Sequence, residues 1–229
     1  MDGFLILDQN PILFWIVAIL SVFLLSVAKS GFGGALASTS VPIMLFVLSP
    51  TAALAVLLPM FVITSVGVIF IWYKFCSWRL AAIMCLFALI GQLVGWVLFD
   101  YFTDMVLTLC IGLVAVFTAL DYWGGVLRSK AHSDTSEHAK KTVWRRAGIW
   151  CGLSGVSSFV SLSGGIPAQI FLLPHRLSRK AFVGTFSVYF VVIDLLKAPL
   201  YAQLDVLSPQ SLRISAMLLP VIPVGVAVG

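Results

Sequence analysis

Charge is scarce in this 229-residue chain, where Asp, Glu, Lys and Arg together make up 10%. Soluble domains carry about 25% charged residues, so a fold in water could not cover its surface with so few. The four cysteines (Cys76, Cys85, Cys110, Cys151) form no CxxC pair and no Cys/His group at metal-ligand spacing. Two of the three histidines, His132 and His138, lie in a polar stretch, and His175 lies in a basic one. Zinc and haem sites are therefore not expected. P-loop, HExxH and GxSxG patterns are all missing, so neither a nucleotide-driven pump nor a metalloprotease or serine-hydrolase chemistry is indicated. No enzyme, catalytic residue, cofactor or metal is expected. The N-terminus carries Asp2 and Asp8 in place of the positive n-region of a cleavable signal.

What the chain has instead is apolar sequence. Hydrophobic residues reach 61% and the mean hydropathy is +1.09, which describes a multi-pass membrane protein and excludes a disordered chain. The net charge of +5 comes mainly from loop lysines and arginines of the kind that orient a membrane protein, so nucleic acid is not an expected partner. A helix needs about 20 apolar residues to span a bilayer. Six runs qualify or nearly do: Pro11–Ala28, Ala52–Tyr73, Leu80–Phe99, Met105–Leu127, Ala181–Ala202 and Leu212–Gly229. Two more are interrupted. Gly31–Leu48 opens with glycines and contains Pro42, while Ala147–Pro174 contains Ser-Gly, Ser-Gly-Gly and Pro167.

The hydrophilic stretch Arg128–Arg146 divides the chain into halves that resemble each other. Ser30-Gly31, Pro42, Tyr73 and Gly95 are answered in order by Ser154-Gly155, Pro167, Tyr201 and Gly225. The offsets run from 124 to 130 residues, which predicts an internal duplication. Residues 1–127 form the first repeat, 128–146 a cytoplasmic basic loop and 147–229 the second repeat. The second repeat lacks a counterpart of Met105–Leu127, so a last helix is expected to be missing and the sequence to be truncated.

Charge placement predicts the topology. Eleven of the 14 Lys/Arg fall in Lys74–Arg79, Arg128–Arg146 and Arg176–Lys180, whereas Asp2, Asp8, Asp100, Asp104 and Asp205 fall elsewhere. Placing the basic segments in the cytoplasm puts those acids and the N-terminus outside. This requires each half to open with a hairpin and to contain five segments, an odd number, so the halves are inverted. The return arm Ile166–Pro174 has nine residues, about 14 Å of helix against a hydrocarbon core of about 30 Å. That hairpin must be re-entrant. By symmetry the first is too, although its arms are longer, and the tips Lys29–Ser40 and Ser154–Pro167 would meet near mid-membrane. The expected fold class is thus all-α: a polytopic transmembrane bundle of two inverted repeats, each starting with a Gly/Pro-broken re-entrant hairpin.

Inverted repeats with broken helices at mid-membrane point to the binding site of a secondary transporter. Broken helices leave backbone groups that only protein or a polar cavity can satisfy, and helix N-termini there suit an anion. The first tip, Lys29-Ser30-Gly31-Phe32-Gly33-Gly34, adds a lysine, and the second, Ser161-Leu162-Ser163-Gly164-Gly165-Ile166-Pro167, adds hydroxyls.

These motifs, with Val41-Pro42 and the Lys-x-x-x-Tyr of Lys197–Tyr201, resemble the TauE/SafE family of sulfite-exporter-like permeases, over Val27 to Gly229. Ala35 and Ser157-Ser158 stand where that family often has glycine. The resemblance implies export or uptake of small sulfur-containing anions such as sulfite, sulfonates or sulfoacetate. It maps the family's glycine pattern onto Gly31, Gly33, Gly34, Pro42, Gly155, Gly164, Gly165 and Pro167. With Lys29, Ser30, Ser38, Ser154 and Ser163 these form the candidate substrate site. An anion channel and a non-transporting assembly subunit are the alternatives. The expected setting is a bacterial cytoplasmic (inner) membrane, with the anion and the bilayer as partners and homo-oligomerisation left open.

Charges at membrane depth are expensive and usually face a cavity or a partner. Lys29 has two open roles, contact with the anion or snorkelling to the interface. Asp194 and Lys197 stand i, i+3 on one helix, either as a neutralising pair or as a relay for substrate or proton coupling. Asp121, beside Tyr122 and Trp123, reads as an interfacial anchor. Gly91/Gly95 and Gly225/Gly229 read as close helix packing, and Gln92 as a buried amide that needs a partner.

Overall fold

The computed structural model describes residues 11–31, 34–99, 101, 103–124 and 139–229. Gly33 and most of the segment 128–146 lie outside them. The described residues are helical, with no strand among them. The helices are α1 (Pro11–Gly31), α2 (Ser40–Met44), α3 (Pro50–Trp72), α4 (Trp78–Phe99), α5 (Asp104–Gly124), α6 (Ala139–Ser161), α7 (Gly165–Leu172), α8 (Arg179–Gln203), α9 (Pro209–Leu218) and α10 (Val221–Val228). Tight turns of 3-10 helix at Ala35–Thr39, Tyr73–Phe75 and Leu173–His175 complete the order. Local chemistry sets several starts. Proline opens α3 and α9, where its missing N–H has no partner to lose. Ser208 and Ser211 close a reciprocal cap on α9.

Among the described residues four segments are long and apolar enough to cross a membrane: Pro11–Gly31, Pro50–Phe75, Trp78–Phe99 and Arg179–Gln203. The pair α9 and α10, bent by 48°, adds a fifth if it is taken as one broken span. Ile12, Phe46, Phe70 and Met105 point outward at 71–84% exposure, an arrangement that suits lipid and not water. The chain is an integral, multi-pass membrane protein.

Both interrupted runs fold as a long helix, a broken tip and a short return. Beyond α1 the return is the 3-10 turn at 35–39 followed by the five residues of α2. Beyond α6 it is the eight-residue α7, about 12 Å long and too short to span. At both tips an N–H reaches a carbonyl six positions back, Gly34 to Ala28 at 3.0 Å and Ser163 to Ser157 at 3.3 Å. A left-handed residue stands at each tip. Gly34 adopts φ 81° in the first and Leu162 φ 54° in the second. The two broken segments touch, because α7 packs against the turn at 35–39.

Two details differ from the sequence expectation. The run Leu212–Gly229 is broken at Leu219-Pro220 into α9 and α10, since Pro220 removes a helical N–H and crowds the preceding turn. The helix α6 starts at Ala139, so Lys140, Lys141, Arg145 and Arg146 ride on its opening turns instead of in a loop. Alanine, lysine and arginine are strong helix formers, so the extension needs no tertiary help.

Small residues decide how closely the helices approach. A Cβ on Gly91 would lie 2.0 Å from the Gly152 carbonyl oxygen, and one on Gly155 2.1 Å from that of Ala88. The helices α4 and α6 therefore meet backbone to backbone, the small-residue packing of membrane interfaces. Gly95 continues the seam against Phe159, and Gly225 and Gly229 of the C-terminal segment seat on Ser26, Val27 and Ser30 of α1. Phe99 and Tyr201 each meet Phe159 edge to face beside this seam and lie tilted to one another, and the Tyr201 hydroxyl donates to the Phe159 carbonyl. Of the four membrane-length segments described, α8 is the most enclosed, held between α3 and α4. Gly155→Ala is expected to destabilise the protein by about 1–3 kcal/mol, because backbone and not a flexible side chain must yield. Gly67→Ala, whose Cβ meets nothing within 4 Å on α3, should hold or raise the unfolding midpoint. Thermal unfolding in detergent compares the two, and equal midpoints would show that the α4–α6 contact is not tight.

Candidate functional site

Lys29, Asp194 and Lys197 are the only charged residues among the buried side chains described, at 4%, 1% and 0% exposure. They form one cluster. The helix α1 carries Lys29 at its broken end, and α8 presents Asp194 and Lys197 one turn apart. Lys29 Nζ lies 2.6 Å from Asp194 Oδ2, and Lys197 Nζ lies 3.2 Å from Asp194 Oδ1. One carboxylate thus serves two ammonium groups, one on each oxygen.

Helix α3 completes the shell. Lys29 donates to the Phe61 carbonyl at 3.0 Å and to Ser65 Oγ at 2.5 Å. Ser65 in turn donates to Asp194 Oδ2 at 2.8 Å. The Lys29 ammonium sits 4.4 Å from the centre of the Phe61 ring and 5.1 Å from that of Phe190, where ring quadrupoles add favourable field. On the far side Lys197 donates to Ser158 Oγ of α6 at 2.8 Å. Gln92 of α4 ties to the same stretch of α8 by donating to the Ile193 carbonyl at 2.9 Å, while its own amide oxygen has no hydrogen-bond partner. Beside the cluster, Lys29, Ser65, Val68, Ser187 and Phe190 line a cavity of about 10 Å³, close to the room one water needs.

The tip residues reach this cluster through aromatic side chains. Gly34 lies under Phe190, and a Cβ there would stand 2.7 Å from the ring. Ser154 donates to the Gly164 carbonyl and shares a 2.6 Å hydrogen bond with the Tyr189 hydroxyl, joining the second tip to α8. Gly164 fits against Ser154 and Ser158, the partner of Lys197. Gly165 and Pro167 are buried in α7, and Ser38 is buried beside the first tip. Four residues are turned to other work. Ser30 returns to the Val27 carbonyl, Ser163 to that of Ser161, Gly31 abuts Gly229, and Gly155 packs on α4. Pro42 is half-buried in α2. Lys29 is buried and paired, and the Asp194–Lys197 pair anticipated within α8 has it as a third member.

The profile of one protein family, Sulfite exporter TauE/SafE, matches residues 18–229. The chain belongs to that family. Comparison with curated proteins and with solved structures gave no match. A TauE/SafE protein is a sulfite-exporter-type membrane transporter.

Sequence reasoning missed Phe61, Ser65, Ser158, Ser187 and Phe190 as neighbours of the buried charges in this TauE/SafE protein. Ser65 left a trace, since Thr64-Ser65 is a polar pair inside an otherwise apolar run. The phenylalanines left none. Asp194→Asn would leave two buried ammonium groups without a counter-ion, and is expected to lower stability by about 3–5 kcal/mol. Lys197→Met leaves the Lys29–Asp194 pair matched and should cost clearly less. Unfolding midpoints of both variants in detergent check this, and the reverse order would remove Asp194 from the role of shared counter-ion.

Proposed function

We propose that this TauE/SafE protein is a carrier of small sulfur oxyanions, sulfite and sulfonates foremost, with the Lys29–Asp194–Lys197 cluster as its anion-binding centre. The observation that carries the reading is the imbalance of the cluster: two ammonium groups, one carboxylate, and no other charged side chain buried among the described residues. Such groups at membrane depth mark substrate or ion pathways. The glycine-bearing tips lie within one side chain of it, through Phe190 and Tyr189. A carrier fits better than a channel, because the three charges are at most 4% exposed and a channel needs a wetted path.

In this reading the halves are inverted repeats and the hairpins ending at Gly34 and Ser163 are re-entrant. One half rocks against the other to expose the cluster to each side in turn. The N-terminus lies outside and residues 128–146 in the cytoplasm of a bacterial inner membrane, and an ion gradient or the membrane potential drives transport. Flux of labelled sulfite, a sulfonate and a carboxylate into proteoliposomes tests it. Saturable uptake of the sulfur anions, accelerated by trans substrate, is expected, and Lys29→Gln should raise the apparent KM by roughly tenfold or more. Non-saturating flux would overturn the carrier, and an unchanged KM in folded Lys29→Gln would move the site elsewhere.

A further inference from the structure

Contacts around the cluster recur at an interval of 129 residues. Ser65 of α3 and Asp194 of α8, 129 apart, share a hydrogen bond of 2.8 Å. Phe61 and Phe190, at the same interval, both set their rings against the Lys29 side chain. The tip hydrogen bonds keep the register too, from Gly34 to Ala28 and from Ser163 to Ser157. By that register Lys29 of α1 answers Ser158 of α6, and Val68 of α3 answers Lys197 of α8. In the second half Lys197 reaches between these elements to Ser158 and Asp194. In the first half the counterparts Lys29, Ser65 and Val68 bound a cavity of about 10 Å³, together with Ser187 and Phe190. Valine ends at Cγ where lysine continues to Nζ, so the first half keeps open what the second half fills. The chemistry is reversed as well. Lys197 brings an amine to a hydroxyl and a carboxylate, whereas the cavity faces an amine and two hydroxyls.

Resting on the anion-carrier reading above, we infer that this cavity is a subsite for one oxygen of a sulfur oxyanion. Lys29 and Ser187 hold that oxygen, and Val68 leaves it room. The cavity is about the size of one water, which is also the size of one such oxygen. Sulfite and sulfonates both carry an oxygen of this kind, so the subsite serves either. Lys29 now donates to Phe61, Ser65 and Asp194. Ser65 is the partner that can yield, because its own bond to Asp194 does not depend on Lys29. The Ser187 hydroxyl now returns to the Val183 carbonyl one turn back, a local bond that a charge-assisted one replaces. The sulfur and its other groups need more space than one oxygen does, so they settle only as the helices around the cluster part.

Flux of labelled sulfite into proteoliposomes holding the full chain tests the subsite, with kcat and KM read separately. Val68→Met sends a longer, unbranched side chain into the cavity and should raise the apparent KM by roughly tenfold or more. A merely structural defect would instead lower kcat or the amount of folded protein. Ser187→Ala removes the hydroxyl without adding bulk and should raise KM by roughly three- to tenfold. Ile63→Met introduces the same side chain on the outer face of α3, at 42% exposure, and should leave KM unchanged. Should Val68→Met fail to fold, Ser187→Ala decides alone. A wild-type KM in folded Val68→Met, or an equal rise in Ile63→Met, would overturn the subsite. If Lys29→Gln still raises KM in that case, the carrier reading stands without it. If wild type shows no saturable sulfite flux, the carrier reading itself falls, and the subsite with it.

Discussion

Two lysine side chains can be buried in this protein because one carboxylate stands between them. Asp194 offers a separate oxygen to each lysine, and that division determines much of the surrounding architecture. Its helix must be enclosed on several sides, since a charged cluster open to lipid would meet no polar partner. The cluster must also draw donors and acceptors from different helices. It takes the Phe61 carbonyl and Ser65 from α3 and Ser158 from α6. A buried polar network is worth having only when its members are satisfied. Here both lysines and the aspartate are hydrogen-bonded, and the orphan atoms (Thr64 Oγ1, Gln92 Oε1 and Trp96 Nε1) belong to neighbouring neutral groups.

The helices can supply those partners because glycine lets them come close. Between α4 and α6 the contact is made by backbone, at Gly91, Gly152 and Gly155. That contact seats Ser158, one turn beyond Gly155, near α8. Lipid tails are as apolar as the side chains, so burial of hydrophobic surface does little to hold such helices together. Close packing and interhelical hydrogen bonds do it instead. The same logic explains Gly225 and Gly229 against α1, the helix that carries Lys29. The glycines named at the outset thus divide by role. Gly34 serves a left-handed turn beneath Phe190, Gly164 serves the second tip, and Gly31 and Gly155 allow close approach.

The broken tips and the charged cluster form one continuous unit. Phe190 touches both Gly34 and the Lys29 ammonium, and Tyr189 beside it is hydrogen-bonded to Ser154, which also holds the Gly164 carbonyl. Both tips therefore contact consecutive residues of α8, about a turn from Asp194.

Much of this protein was determined by sequence alone. Scarce charge and long apolar runs dictate membrane helices, because the bilayer tolerates little else. The short return arm at Ile166–Pro174 cannot span for reasons of length, and the glycine and proline interruptions mark where helices break. Lys29, Asp194 and Lys197 stand out individually, since a charge in an apolar run needs a reason. Tertiary structure alone decided which of them meet. Lys29 and Asp194 are 165 residues apart, and no local period links them. A spacing of three makes Asp194–Lys197 readable on one helix, but it says nothing of a second lysine arriving from another. The neutral members were still less legible, because Phe61, Ser158 and Phe190 look like ordinary core residues until a charge is placed beside them. The division between packing and site glycines was likewise invisible, for it depends on what lies opposite. Sequence carries the identity of each group and its position along a helix, whereas the net charge of an enclosed site belongs to neighbours that only folding brings together.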